Sequence, residues 1–274
     1  IVELVRREAH DRLVHPVLDG KTPRDGFAPQ VHQPLEEADA EPLVGRFLAD
    51  DGRRQLAVIA AKNHHNGSMN PMAQYQMDMT VEEVLEDYQV AYPLTRAMCA
   101  PIGDGAAAAI ICSEKALGRF PDAKPVRIRA SVLVSGSLPD SGLAVIGERA
   151  SRRAYEAAGL GPEDIDVAEV HDATAFGELA QYEEMGFCPV GEGGPFAESG
   201  ATSLGGKTPV NPSGGALSAN PILVAGLARL IEATLQVRGE AGARQVKNAA
   251  TALAHGFNGP CGQSHCVWIV GGRK

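Results

Sequence analysis

The sequence predicts an α/β fold built in layers, and three observations carry that prediction. From residue 126 onward, segments with strand patterning alternate with segments of helical periodicity. Gly (31) and Pro (18) are abundant while aromatics make up only 5%. That composition suits tight turns and close helix–sheet packing better than an aromatic-rich β-sandwich. With 274 residues, 44% of them hydrophobic, the chain can bury a substantial core, as one large domain or two smaller ones.

Taken in order, a short helix is expected at 2–14. The stretch after it is rich in Pro, Gly, His and acidic residues, so 1–45 is assigned as a loop or insertion region. Helix-like patterning returns over 43–61. Thr80 and Glu83 stand in capping-box spacing and mark a helix running to Glu86. The small and apolar run from Gly105 to Cys112 is consistent with a buried strand. After Pro125, Val126–Val134 alternates as a strand does. Ile146–Ala158 is an amphipathic helix stopped by Gly159. Ile165–Val170 is a strand ending at His171, and Ala173–Met185 is a helix stopped by Gly186. Pro221–Val237 is a long helix with Leu223, Leu227, Leu230 and Ile231 on one face. Thr251–Ala254 and Cys266–Val270 complete the strands.

A net charge of −9, without any basic cluster, argues against a general nucleic-acid-binding role. The five cysteines form no Cys-x-x-Cys pair, and their odd number in a chain of this size argues against a disulfide framework. A reducing, cytoplasmic setting fits that usage best. No apolar run reaches the ~18 residues of a membrane span, and Ile1–Arg7 does not read as a secretory leader. His64 and His65 are adjacent, so their side chains diverge, and spacing places no third metal ligand beside them.

Four segments at element ends carry residues with chemistry. In Glu169-Val170-His171-Asp172 a strand delivers an imidazole and a carboxylate to its C-terminal end. The pair can cap the next helix, or the imidazole can donate to a carbonyl oxygen. In Gly205-Gly206 and Val210-Asn211-Pro212-Ser213-Gly214-Gly215, paired glycines let backbone approach a ligand or another strand. The segment lacks the Walker A order. Asn220-Pro221 before the long helix reads as an N-cap and first-turn pair, while the Asn220 amide can also donate to developing negative charge. In His255-Gly256-Phe257-Asn258-Gly259-Pro260-Cys261-Gly262, a Cys flanked by Gly and Pro is either a buried turn residue or an accessible acid/base or nucleophile. His265 and Cys266 are assigned to the strand after it.

These segments, in this order, resemble the sterol-carrier-protein-x type of thiolase. The resemblance rests on the run from Glu169 to Leu179, Tyr182-Glu183-Glu184-Met185-Gly186-Phe187-Cys188, Gly205-Gly206 and Val210–Gly215. Lys62–Pro71 and Pro101–Ala109 look like the preceding part of the same proteins. It covers about residues 45–271. It implies a five-layered αβαβα fold made of two similar halves. On that view 46–118 is the remainder of the N-terminal half, 119–274 is the C-terminal domain, and the first part of the N-terminal half is missing. The family's nucleophilic Cys would lie in that missing segment.

The resemblance further implies Claisen chemistry on acyl-CoA thioesters, with the coenzyme A thioester as substrate, no other cofactor, and a homodimer. Carried onto this sequence, His171 holds an oxyanion-hole position and Cys261 is the acid/base. Asn220 stands where the family has the His of Gly-His-Pro. Gly214, Gly215 and Gly259 approach the substrate. Two alternatives accompany the acyltransferase reading, the first favoured because Asn cannot act as a general base at neutral pH and the second because the nucleophilic Cys is missing. One is a retro-aldolase (C–C lyase) acting on a β-hydroxyacyl-CoA with a small OB-fold/zinc-ribbon (DUF35-type) partner. The other is a non-catalytic thiolase-like subunit.

Overall fold

The structure, a computed structural model, describes residues 3–4, 52–136, 144–219, 221, 224–258 and 263–271. Its elements are α1 (Gly52–Ser68), α2 (Val81–Glu86), a short hairpin of β1 (Gln89–Ala91) and β2 (Leu94–Thr95), β3 (Ile128–Ser135), α3 (Ala144–Ala158), β4 (Val167–Glu169), α4 (Ala175–Glu184), α5 (Gly193–Glu198), α6 (Gly215–Ser218), α7 (Ala225–Arg238), β5 (Thr251–Asn258) and β6 (Ser264–Gly271).

The main sheet has the order β3-β6-β5-β4. β3 and β5 both run antiparallel to β6, whereas β4 is parallel to β5. Successive side chains of a strand point to opposite faces, and the core divides accordingly. Ala252, Ala254 and Val270 pack with Leu230 and Ala233 of α7 on one face. Leu253, Val267 and Ile269 pack with Ala150 and Ala154 of α3, Leu179 of α4 and Leu56 of α1 on the other. The result is helix on sheet on helix, as the α/β prediction requires. Each fully buried Leu on these faces contributes about 1.5–3 kcal/mol through removal of apolar surface from water.

Local signals set several boundaries correctly. Thr80 accepts from the Glu83 N–H while the Glu83 carboxylate accepts from the Thr80 N–H, the reciprocal box expected from their spacing. Gly159, at φ +66°, ends α3 in the left-handed conformation that glycine adopts without a Cβ penalty.

Other expectations are corrected. Glu3–Leu4 pairs as a short strand with Ala109–Ile110 rather than opening a helix, and the remainder of 2–14 lies outside the described residues. The helix expected over 43–61 begins at Gly52 and runs on to Ser68; its first part also lies outside them. The buried strand over Gly105–Cys112 reduces to Ala109–Ile110, and Ile110 is 40% exposed. Composition gave that run strand character, but among the described residues only two residues pair with it, so most of it stays open to solvent. The long helix runs from Ala225 to Arg238 with Val224 at its N-cap, and the Val224 N–H bonds to the Pro221 carbonyl; Asn220, Ile222 and Leu223 lie outside the described residues. Both late strands are longer than apolar patterning suggested, since hairpin pairing carries their register from Thr251↔Gly271 to Asn258↔Ser264.

Candidate active site

The C-terminal end of β4 delivers Glu169, Val170, His171 and Asp172 into the interior. Thr174, not His171 or Asp172, caps α4, by accepting from the Gly177 N–H. Asp172 is freed for another task. Its fully buried carboxylate accepts from the Ala216 N–H (2.8 Å) and the Leu217 N–H (3.3 Å), at the start of α6. It also accepts from Asn63 Nδ2 (3.1 Å) and an Arg229 guanidinium nitrogen (3.3 Å). Burial pushes Asp172 up to about 7 against the pull of Arg229. Glu169 binds the next loop in the same way, accepting from the Ser213 N–H (2.9 Å) and hydroxyl (2.7 Å). Burial, with Glu232 nearby, pushes its carboxyl up to about 8.

The Asn211–Gly215 loop is held close to this strand end. Asn211 sits at φ +52°, and its Oδ1 accepts from the Val170 N–H (2.8 Å). Gly215 has φ +63°, and a Cβ there would collide with the Asp172 carboxylate. A Cβ at Gly214 would meet the Ser218 hydroxyl and the backbone of Gly67. Both glycines are buried, and their immediate task is to let loop, Asp172 and α1 meet.

α1 supplies the opposite wall through polar residues that hydropathy does not reveal. Lys62 Nζ donates to Glu178 Oε1 and to the Val210 carbonyl, each at 2.6 Å. Asn63 Nδ2 (2.5 Å), Asn211 Nδ2 (2.8 Å) and the Tyr182 hydroxyl (2.6 Å) also donate to Glu178. Asn66 and Asn70 donate to the carbonyls of Asn211 (3.0 Å) and Ser213 (2.8 Å). The Lys62–Pro71 stretch is therefore a cradle for the glycine loop. His64 and His65 diverge, to Ala97 O (3.0 Å) and Asp78 (2.9 Å). Among the described residues no cluster of three or more His, Cys, Asp or Glu is arranged to hold a metal ion.

His171 is 8% exposed, and its ring meets Phe257 edge-on at 3.9 Å between centroids. Burial, then Arg229 and His265, pull the imidazole down to about 3. The ring is therefore neutral at physiological pH, able to donate one N–H without carrying charge. Beside it, His255 Nδ1 accepts from the His171 N–H (3.3 Å), and His255 Nε2 lies 3.0 Å from His265 Nδ1. Arg229 ties the two strand ends together by reaching the His255 carbonyl (3.4 Å) as well as Asp172.

Of the residues singled out from sequence, the structure brings His171, Gly214 and Gly215 into one region through Asp172. Asn220, Gly259 and Cys261 lie outside the described residues. Sequence reading passed over Lys62, Asn63, Glu178 and Arg229. A usable signal existed for one of them: Arg229 shares a face of α7 with Glu232 and Gln236, away from Leu227, Leu230 and Ile231, and all three polar residues are buried. Of the remaining thiols, burial raises those of Cys99, Cys188 (to about 12) and Cys266.

The chain is similar to proteins that are already known. The family described as thiolase C-terminal domain-like matches residues 139–272. The chain is 40% identical over 216 residues to an acetyl-CoA acetyltransferase of Methanothermobacter thermautotrophicus, covering 77% of this chain and 56% of that protein. It is 41% identical over 211 residues to sterol carrier protein 2 of Bos taurus, covering 73% and 39%. To the benzoylsuccinyl-CoA thiolase subunit BbsB of Thauera aromatica it is 36% identical over 224 residues, covering 79% and 58%. The chain thus spans about half the length of these relatives. A solved structure titled Ltp2-ChsH2(DUF35) aldolase shares the fold, with a TM-score of 0.72 at 24% identity, over 86% of this chain and 62% of that one.

Proposed function

This chain belongs to the thiolase superfamily through its C-terminal domain, and from that premise we propose that it is part of an acyl-CoA C-acyltransferase. The reaction makes or cleaves a carbon–carbon bond of a β-ketoacyl-CoA thioester. The observation that carries the reading is His171: a buried, neutral imidazole at the end of a parallel strand, flanked by a loop that Asp172, Glu169 and Lys62 hold rigid. Claisen chemistry passes through enolate and tetrahedral oxyanion states, and a fixed neutral donor stabilises such an oxygen as its charge develops. In this proposal Asn220 adds a second donor, Cys261 moves the proton of the incoming acyl group, and the backbone at Gly214, Gly215 and Gly259 lines the thioester. The substrate is a coenzyme A thioester, and the protein works as a cytoplasmic homodimer.

A second reading is a retro-aldolase that cleaves a β-hydroxyacyl-CoA together with a small OB-fold/zinc-ribbon (DUF35-type) partner. One feature of the sequence favours it. Asn220 stands where a general base is expected, and retro-aldol cleavage consumes no thiol. The test uses the full native protein with a β-ketoacyl-CoA plus free CoA, then with a β-hydroxyacyl-CoA alone, resolving the products by chromatography. The acyltransferase reading expects a shortened acyl-CoA only in the first reaction. Cleavage confined to the hydroxy substrate, without added CoA, would overturn it in favour of the lyase.

A further inference from the structure

Two further histidines lie behind His171, and their geometry fixes more than their positions. At the site end of the sheet β4 has ended, so the His171 peptide N–H has no strand carbonyl to meet. His255, on the neighbouring strand β5, accepts it with Nδ1 at 3.3 Å. Nδ1 of His255 must then carry a lone pair, which leaves the ring proton of the neutral imidazole on Nε2. That Nε2 lies 3.0 Å from His265 Nδ1 on β6, so His255 donates and His265 accepts. The two rings stack at 5.1 Å between centroids, and Phe257 stacks on His265 (5.5 Å) while its edge meets His171. All three histidines are buried, and the Arg229 guanidinium pins the His255 carbonyl. A His in the other tautomer would present an N–H to the N–H of His171, and the strand end would have to shift.

We propose that His255 is a positioning residue for His171, and that His265 selects its working tautomer. The relay runs from the His265 ring, through the His255 ring, to the backbone that aims the His171 imidazole at the substrate oxygen. The catalytic part of this inference rests on the thioester reading above; the tautomer part does not.

The two ends of the relay can be separated by substitution. His265→Phe keeps the stacked ring but removes the acceptor, whereas His265→Asn places an amide oxygen near the position of Nδ1 and should restore it. His255→Asn keeps an acceptor for the His171 N–H, whereas His255→Phe removes it. The full chain would be labelled with 15N, and long-range proton–nitrogen correlation would assign the ring tautomers near neutral pH. The expected result is an Nε2-protonated His255 in the wild type and in His265→Asn, with the pattern lost or mixed in His265→Phe. The His171 ring signals should move in His265→Phe and return towards the wild-type positions in His265→Asn.

Turnover on the acyl-CoA substrate that the wild type accepts should fall about 10–100-fold in His265→Phe, as displacement of a reacting group does. KM should stay within about twofold, and His265→Asn should recover most of the loss. An Nδ1-protonated His255 in the wild type would overturn the proposal. So would His171 ring signals that do not respond in a His265→Phe protein with wild-type circular dichroism. A wild type with the predicted tautomer but no activity on any acyl-CoA would sink the thioester reading and leave the relay standing.

Discussion

Replacing Lys62 by Met tests whether the α1 cradle holds the glycine loop in place. The ammonium is 7% exposed and bridges two partners 2.6 Å away, the Glu178 carboxylate and the Val210 carbonyl. Removing one member of a buried ion pair costs about 3–5 kcal/mol, mostly because the other charge stays buried. Glu178 keeps three donors, from Asn63, Asn211 and Tyr182, so the lower end of that range applies. The Val210 carbonyl loses its side-chain donor as well, which holds the expected cost near 3 kcal/mol rather than below it. For a chain of this size such a loss lowers Tm by about 6–12 °C. Urea denaturation followed by circular dichroism measures it. The double variant Lys62→Met/Glu178→Gln removes both charges and should be less destabilised than the two single losses added together, by about 1–2 kcal/mol. A Lys62→Met protein destabilised by less than about 1 kcal/mol, or strictly additive losses, would refute the view that this pair is coupled and structurally decisive.

Gly215→Ala should destabilise the fold by about 2–4 kcal/mol in urea denaturation, because it combines a left-handed backbone with a clash against Asp172. His171 links stability to acid. Its folded value of about 3 lies below the ordinary 6.5, so its contribution is complete above 6.5 and is lost as pH falls from 6.5 to about 3. His171→Asn should flatten the stability–pH curve in that window by up to about 1.4 kcal/mol per pH unit, and an unchanged slope would contradict the buried neutral ring. Glu184 acts in the opposite sense. Burial raises it from 4.5 to about 8, so it favours the fold below 4.5 and that contribution is lost as pH rises to about 8; Glu184→Gln should remove this decline in pH-dependent denaturation. Asn220→His should leave stability within about 1 kcal/mol, since α7 is capped at Val224, while shifting turnover on acyl-CoA substrates. Unchanged turnover would remove Asn220 from the proposed site.

The features legible in the sequence are those that neighbouring residues dictate. Period-two and period-3.6 apolar patterning located β3, β4, α3 and α4 to within a few residues, and the motif order carried the superfamily. The Thr80–Glu83 box and the stop at Gly159 need only backbone geometry within one turn. The His171 strand end was visible for the same reason, since an apolar run that stops at an imidazole and a carboxylate is a local pattern. The extent of β5 and β6 was not visible, because hairpin pairing rather than hydropathy sets it.

Tertiary structure alone decided which polar residues act together. Lys62 and Glu178 are 116 residues apart, His171 and His255 are 84 apart, and no local propensity reports such pairs. Arg229, Glu232 and Gln236 at helical spacing on one face gave a trace of this in the sequence, but only the fold shows the partners of the two charges, Asp172 and Arg244. The physical reason is that a buried charge is tolerable only with a partner, and the partner is chosen by packing and not by sequence distance. The sequence therefore determined the α/β layers, the superfamily and the strand that presents His171. The folded chain determined the cradle around the glycine loop and the histidine pair behind that strand.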